Sequence, residues 1–116
     1  MRAVIVDDDE DMRQLLRVVM ELEDIEVVGE AVDACAGARC WADLRPDVLI
    51  VDYRMPGHTG LELAEHILAQ DPEARVLLFS SYLSDAAVRR AEEIGVAFVV
   101  PKDQMRALPG LIRGAA

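Results

Sequence analysis

Short apolar runs alternate with amphipathic stretches five times along the chain. The runs are four or five residues long and rich in Val, Leu and Ile, as expected of strands that are buried on both faces of a sheet. They predict strands at residues 3–6, 25–28, 48–51, 75–79 and 97–100. Between them, apolar residues recur every three or four positions, which is the period of an α-helix. The pattern therefore predicts strands and helices in strict alternation.

Several residues suit the ends of these elements. Thr59 and Glu62 have the spacing of a capping box, so a helix is expected to begin there. Gly29 is expected to end the second strand. The last helix is expected to begin near Asp103 and to bend at Pro109, because proline cannot donate a helical hydrogen bond.

Alternating strands and helices predict an α/β domain with a parallel sheet. Because such crossovers are right-handed, the helices should cover both faces of a doubly wound, five-stranded sheet, with the first and third strands as neighbours. No internal repeat or linker divides the sequence, so residues 1–116 are expected to form one domain.

The composition limits the classes of molecule that the chain is expected to bind. The formal net charge is −10, and such a surface repels both nucleic acids and anionic membranes. Cys35 and Cys40 are the only cysteines, and their spacing on a helix places them on different sides. We therefore expect two unpaired thiols rather than a redox pair or metal ligands. With no signal-like or membrane-length apolar run, the sequence predicts a cytoplasmic protein.

Polar residues follow four of the five predicted strands. Asp7 and Asp8 follow the first strand, Asp52 the third, Ser80 the fourth and Lys102 the fifth, whereas the end of the second strand offers nothing comparable. Ligands of doubly wound sheets bind beyond the carboxyl ends of the strands. These side chains are therefore expected to converge at one edge of the sheet.

Three convergent carboxylates predict a divalent cation. Two unit charges about 4 Å apart repel by roughly 4 kcal/mol at an effective dielectric constant near 20, and a hard cation such as Mg²⁺ relieves that repulsion. Lys102 and Ser80 could then contact phosphate oxygens. No stronger nucleophile accompanies them, so Asp52 is the candidate acceptor of a phosphoryl group.

The strand-end residues lie within motifs of a known family. The segment from Val48 to Gly60 reads VLIVDYRMPGHTG, and the opening segment 4–9 reads VIVDDD. With Ser80 and Lys102 at the matching spacings, the chain resembles the receiver domains of bacterial response regulators over essentially its whole length. This resemblance implies a flavodoxin-like fold with strand order 2-1-3-4-5 and five flanking helices.

The resemblance also implies a mechanism of signalling. Asp52 would accept a phosphoryl group from a sensor histidine kinase or a small acyl phosphate. Asp8 would coordinate Mg²⁺ directly and Asp7 through water, and the backbone carbonyl of Arg54 would be a further ligand. A receiver domain of this kind is a self-phosphorylating and self-dephosphorylating acceptor rather than an enzyme.

The remaining roles in the family concern the response to phosphorylation. Lys102 would pair with the phosphoryl group and Ser80 would move toward it. That movement would change the face formed by the fourth helix, fifth strand and fifth helix, and so control dimerisation or the binding of an effector. Arg54 and Tyr82 occupy positions that tune loss of the phosphoryl group.

One departure concerns the fifth strand. The family usually has an aromatic residue three positions before the lysine, where this chain has Val99, and Phe98 would face the other side of the sheet. The Lys102–Asp103 pair and the segment 24–31 resemble receivers that precede a LuxR-type helix-turn-helix domain, which implies transcription regulation in a longer protein. Whether the chain acts alone or as part of such a regulator stays open.

Two alternatives to a phosphorylation switch remain at this stage. A haloacid-dehalogenase-like phosphatase also uses a strand-end aspartate and Mg²⁺, but its Asp-x-Asp motif is matched only superficially by residues 7–9. A receiver-like module that binds partners without phosphorylation would explain Val99. The complete set of acidic residues, with Ser80 and Lys102, argues against it.

Overall fold

The computed structural model of the protein describes residues 1–114. The strands are β1 Arg2–Val6, β2 Glu26–Ala31, β3 Val48–Asp52, β4 Val76–Ser80 and β5 Phe98–Pro101. The helices are α1 Glu10–Glu21, α2 Ala34–Leu44, α3 Gly60–Gln70, α4 Asp85–Ile94 and α5 Leu108–Gly114. A 3₁₀ segment, Lys102–Ala107, joins β5 to α5.

The five strands form one parallel sheet in the order β2-β1-β3-β4-β5, as the resemblance implied. Alternate residues of each strand enter opposite layers of the core. In β1, Val4 and Val6 pack toward α2, α3 and α4, while Ala3 and Ile5 pack toward α1 and α5. This two-sided burial explains why the strands are apolar throughout, and it leaves the strand ends as the place for polar chemistry.

The predicted capping box at the start of α3 is confirmed. The Thr59 hydroxyl accepts a hydrogen bond from the Glu62 amide, and the Glu62 carboxylate accepts one from the Thr59 amide, both at 3.1 Å. At the start of α1, the Asp9 carboxylate caps the helix by accepting from the amides of Asp11 and Met12. Asp9 therefore serves the helix, which separates it from the two aspartates before it.

The predicted end of β2 is wrong. The strand continues through Gly29 to Ala31, and its pairing with β1 shifts register between Ala3 and Val4. A Cβ atom at Gly29 would lie 2.8 Å from Leu44 Cδ1, so glycine allows α2 to pack closely against a continuing strand. Gly29 therefore does not end β2; it marks the close approach of α2 to the strand.

The predicted bend at Pro109 is also wrong. Pro109 lies in the first turn of α5, where backbone amides have no helical acceptor and proline removes nothing. The break comes earlier, at Gln104, whose φ of −111° and ψ of 31° are not helical.

None of the helices within residues 1–114 has both the length and the hydropathy of a membrane-spanning helix.

Candidate functional site

The strand-end residues meet at one edge of the sheet. Asp52 is the last residue of β3, Ser80 is the last residue of β4, and Lys102 follows β5 directly. A cavity of about 390 Å³ opens at this edge, and Asp52, Ser80 and Lys102 line it together with Arg54, Ser81 and Tyr82. The structure thus brings together the candidate phosphoacceptor, the hydroxyl and the lysine that the sequence predicted at this edge.

The three predicted metal-binding carboxylates form a cluster. Asp7, Asp8 and Asp52 each offer an oxygen within 4.8 Å of the others. Asp7 is 1% exposed and Asp52 is 6% exposed, whereas Asp8 is open to solvent. Two buried carboxylates beside an accessible one form a site that a cation can reach from solvent.

One carboxylate oxygen in this cluster lacks a hydrogen bond. Asp7 Oδ1 accepts from the Asp9 amide at 2.9 Å, but Asp7 Oδ2 is buried without a hydrogen-bond donor. Its nearest cation is Lys102 Nζ at 3.6 Å. Because buried polar atoms are normally satisfied, the unpartnered oxygen fits a site for a hard divalent cation.

Burial shifts both inner carboxylates toward the neutral form. Desolvation raises the pKa of Asp7, with a smaller opposing effect from the Asp9 amide and the Lys102 charge. Desolvation also raises the pKa of Asp52, and the negative charge of Asp7 raises it further. The protein alone therefore stabilises this pair of negative charges incompletely, and a divalent cation would complete that stabilisation.

Lys102 lies between the two buried carboxylates. Its Nζ atom is 3.4 Å from Asp52 Oδ2 and 3.6 Å from Asp7 Oδ2, and its side chain is 20% exposed. Lys102 begins the 3₁₀ segment directly after β5, at the same edge of the sheet as Asp52. An ammonium group there can neutralise carboxylates or contact a phosphoryl group on Asp52.

The Ser80 hydroxyl bonds to the backbone of the following loop and makes no hydrogen bond to the acidic cluster. It donates a hydrogen bond to the backbone carbonyl of Tyr82 at 3.2 Å, although the residue itself is only 6% exposed. Since Ser80 also lines the cavity beside Asp52, rotation of one side-chain torsion would redirect the hydroxyl toward that cavity.

Gly60 supports Asp52 from behind, which the sequence did not reveal. A Cβ atom at Gly60 would lie 2.2 Å from the Asp52 carbonyl oxygen and 2.8 Å from Val51 Cγ1. The Gly60 amide also donates to the Tyr53 carbonyl at 2.8 Å. Glycine at this position therefore lets the start of α3 pack directly against the end of β3.

The end of β2 adds no residue to the cavity or the acidic cluster, but Glu30 supports the loop that carries the cluster. Glu30 accepts hydrogen bonds from Arg13 at 3.1 Å and from Arg17 at 2.9 Å. Arg13 then donates to the backbone carbonyl of Asp7 at 2.7 Å. Through Arg13, Glu30 thus helps to fix the loop that carries the acidic residues. The spacing of Arg13 and Glu30 in the sequence does not predict their contact.

The side chains left outside the predicted chemistry lie away from this cluster. His58 is paired with Glu62 at 3.1 Å on the surface, and His66 contacts Gln70. Cys35 and Cys40 are free thiols, as predicted.

Taken together, the edge presents a buried carboxylate, a cluster of three carboxylates that could hold a cation, a lysine and a hydroxyl, and these groups suit the transfer of a phosphoryl group. Residues 3–112 match the family model described as "Response regulator receiver domain". The chain belongs to the family of response regulator receiver domains. This match confirms the resemblance found in the sequence. It favours neither a haloacid-dehalogenase-like phosphatase nor a module that acts without phosphorylation.

Two curated proteins show which kinds of regulator contain a similar domain. The chain is 30% identical to transcriptional regulatory protein LiaR of Bacillus subtilis, over 99% of this chain and 56% of that protein. It is 39% identical to protein-glutamate methylesterase/protein-glutamine glutaminase 3 of Hahella chejuensis, over 90% of this chain and 30% of that protein. The chain thus spans about a third to a little over half of these relatives.

A solved LuxR-family response regulator from Aurantimonas sp. superposes with a TM-score of 0.87 at 30% identity, covering 97% of this chain and 85% of that one. The likeness to LuxR-type receivers expected from the sequence is therefore confirmed. Receiver domains of this family act in two-component signalling, and a phosphorylation-controlled switch is the role that fits the chain.

Proposed function

We propose that Asp52 is the phosphoacceptor of this receiver domain and that its phosphorylation is the signal. The observation that carries the proposal is the position of Asp52, buried at the end of β3, within reach of Lys102 and beside the unpartnered oxygen of Asp7. A carboxylate oxygen of Asp52 would attack the phosphorus, and the bond from phosphorus to the donor's leaving atom would break.

The acidic cluster is proposed to hold Mg²⁺. Asp7, Asp8 and Asp52 would hold the ion, together with the backbone carbonyl of Arg54. When bound, Mg²⁺ supplies positive charge that offsets the carboxylates and the incoming phosphate oxygens. The unpartnered oxygen and the raised pKa values of Asp7 and Asp52 support this assignment.

Lys102 and Ser80 are proposed to hold the phosphoryl group after transfer. The ammonium group of Lys102, which now contacts both buried carboxylates, would pair with a phosphoryl oxygen. The Ser80 hydroxyl would exchange its bond to the Tyr82 carbonyl for a bond to another phosphoryl oxygen. No step requires turnover of an external substrate, so the domain acts as a self-catalysed phosphoacceptor and not as an enzyme.

The proposed partners follow from this role. A sensor histidine kinase would supply the phosphoryl group. The face formed by α4, β5 and α5 would then engage another copy of the chain or a downstream effector, with transcription as the output in a longer protein. The domain itself would leave nucleic acids and membranes unbound, because its net charge is −10. A single receiver domain over residues 1–116, working in the cytoplasm, stays a prediction from sequence.

Intact-mass measurement after incubation with acetyl phosphate and Mg²⁺ tests the phosphoacceptor. Wild type should gain one phosphoryl group, and Asp52→Asn should gain none. Asp43→Asn is a matched control, because Asp43 is exposed on α2 and away from the site. Equal uptake by wild type and Asp52→Asn would reject Asp52 as the acceptor, and absence of uptake by wild type would favour a phosphorylation-independent module.

A further inference from the structure

A second cavity lies beside the phosphorylation site. Its volume is about 380 Å³, and it is open to solvent between the loop after β4, the helix α4 and the strand β5. We call it the Val99 cavity; its lining residues are Ser80, Ser81, Tyr82, Leu83, Val88, Val99 and Pro101. Ser80, Ser81 and Tyr82 line both this cavity and the one beside Asp52, so the loop forms the wall between them.

The inner wall of the Val99 cavity is apolar. Leu83, Val88 and Val99 are each only partly buried, and Val99 lies on the α4 side of the sheet while Phe98 packs on the opposite side. The aromatic ring that is nearest in sequence therefore cannot fill this space. A side chain of another element has to enter it, or the apolar wall stays hydrated.

Tyr82 is the aromatic residue placed to enter this space. It borders the cavity, yet it is 68% exposed in the present state. A tyrosine ring gains from apolar contact while its hydroxyl keeps a hydrogen bond to water at an open rim. Entry would need only a rearrangement of the loop between β4 and α4.

Ser80 couples this loop to the phosphorylation site. Its hydroxyl has one proton to donate, and that proton now binds the Tyr82 carbonyl at 3.2 Å. The same proton cannot also bind a phosphoryl oxygen on Asp52. Contact between Ser80 and the phosphoryl group would therefore remove this hydrogen bond to the Tyr82 backbone and leave the loop after β4 without it.

We propose that phosphorylation of Asp52 releases Tyr82 from Ser80 and that the Tyr82 ring then packs into the Val99 cavity against Leu83, Val88 and Val99. Tyr82 would thus be the residue through which the site reshapes the surface between α4 and β5. The inference rests on the proposed phosphoacceptor role of Asp52, and it goes further by assigning the moving aromatic group.

The test measures exposure of Tyr82 by ¹⁹F NMR. The protein contains two tyrosines, so labelling with 3-fluorotyrosine gives two signals, and Tyr82→Phe assigns them. A gadolinium chelate that is soluble in water broadens signals from exposed rings. On addition of acetyl phosphate and Mg²⁺, the Tyr82 signal should lose most of this broadening, while Tyr53 serves as an internal reference. Intact mass of the same sample reports uptake of the phosphoryl group.

Two variants fill the cavity with a competing ring. In Val99→Phe and Val88→Phe, Asp52 should still be phosphorylated while Tyr82 stays as strongly broadened as before. Val18→Phe, which adds the same ring on the exposed side of α1, should behave as wild type. Having two filling variants on different elements keeps the test valid if one of them fails to fold.

The outcomes separate the two proposals. Phosphorylated wild type with an unchanged Tyr82 signal would overturn the role of Tyr82 and leave the phosphoacceptor intact. Protection of Tyr82 in either folded filling variant would overturn the assigned cavity. Absence of the phosphoryl group from wild type by mass would overturn the phosphoacceptor and the movement of Tyr82 together.

Discussion

The two halves of the site differ in how firmly they are held. The acidic half consists of Asp7, Asp8 and Asp52 at the ends of β1 and β3, and its two inner residues are at most 6% exposed. The switch half consists of residues 80–83, which are the last residue of β4 and the loop that follows it, and Tyr82 in this loop is 68% exposed beside an open cavity. The inner carboxylates of the acidic half are buried, whereas in the switch half Tyr82 is exposed and its backbone carbonyl accepts a side-chain hydrogen bond from Ser80.

This difference suggests a division of labour. Charge clusters must be positioned before the reaction, because moving buried charges during it is costly. A signal, in contrast, requires two arrangements of similar free energy. We therefore expect substitutions in the acidic half to affect phosphorylation itself, and substitutions in the switch half to affect mainly the conformational response to it.

The largest contrast is expected between Asp8→Ala and Ser80→Ala. Loss of a metal-binding carboxylate should slow labelling by acetyl phosphate by about 100-fold or more, because the cation contributes several kcal/mol of charge stabilisation. Loss of the Ser80 hydroxyl removes one hydrogen bond to a charged group and should slow labelling by about 10-fold. Rates of mass increase at saturating Mg²⁺ measure both.

Asp11→Ala is the control for this comparison, since Asp11 belongs to the same acidic run but lies exposed in the first turn of α1. It should label at nearly the wild-type rate. Asp8→Ala labelling as fast as Asp11→Ala would remove Asp8 from the metal site, and the acidic half would then have to be redefined.

The next effect concerns the packing behind Asp52. Gly60→Ala should lower the free energy of unfolding by about 1–3 kcal/mol, because its Cβ would have to displace the backbone of β3. It should also slow labelling by moving Asp52. Urea denaturation measures the stability, and intact mass measures the labelling.

Gly110→Ala is the matched control. Its added Cβ would meet nothing within 4 Å, and the residue lies within α5. Alanine should therefore raise stability by about 0.5–1 kcal/mol through helix propensity. If both alanine variants had equal stability, the close contact between α3 and β3 would not constrain the acidic half.

The smallest effect is a pH dependence of the metal-free protein. A carboxyl group whose pKa is raised on folding stabilises the fold below its ordinary pKa, and this contribution is lost as pH rises through the raised value. Asp7 and Asp52 both have raised pKa values, so in EDTA they should oppose folding at neutral pH. Asp7→Asn should then stabilise the metal-free protein at pH 7 by on the order of 1 kcal/mol.

That advantage of Asp7→Asn should shrink as pH falls toward the ordinary carboxyl pKa, and Mg²⁺ should reverse it by stabilising wild type. Thermal unfolding across pH, with Asp43→Asn in parallel, measures the difference. A gain that is independent of pH would show that the Asp7 charge is not the cause.

The acidic half could be predicted from sequence because strand ends are a topological property. Once Asp7, Asp52 and Lys102 were assigned to the ends of parallel strands, the sheet order brought them to one edge without knowledge of any distance. Asp9 was separable only in the structure, because capping a helix and binding a cation use the same residue type at adjacent positions.

What sequence could not supply was contact between segments. The role of Gly60 depends on how closely α3 approaches β3, and the role of Glu30 depends on which arginine it meets. Gly29 and Pro109 were misread for the same reason, since each was interpreted by its local preference while packing and helix position decided its effect. The Val99 cavity was not predicted, because the sequence shows only that valine stands where the family usually has an aromatic residue.

Lys102 pairs with both buried carboxylates in the unphosphorylated protein. With its ammonium group 3.4 Å from Asp52 and 3.6 Å from Asp7, the lysine occupies the place of an internal counter-ion until a phosphoryl group competes for it. If Lys102 pairs with the phosphoryl group as proposed, loss of that group would return its ammonium group to Asp7 and Asp52 and offset the repulsion between the two carboxylates. We therefore expect this pairing to favour the unphosphorylated state, because the ammonium group regains two carboxylate partners when the phosphoryl group is lost.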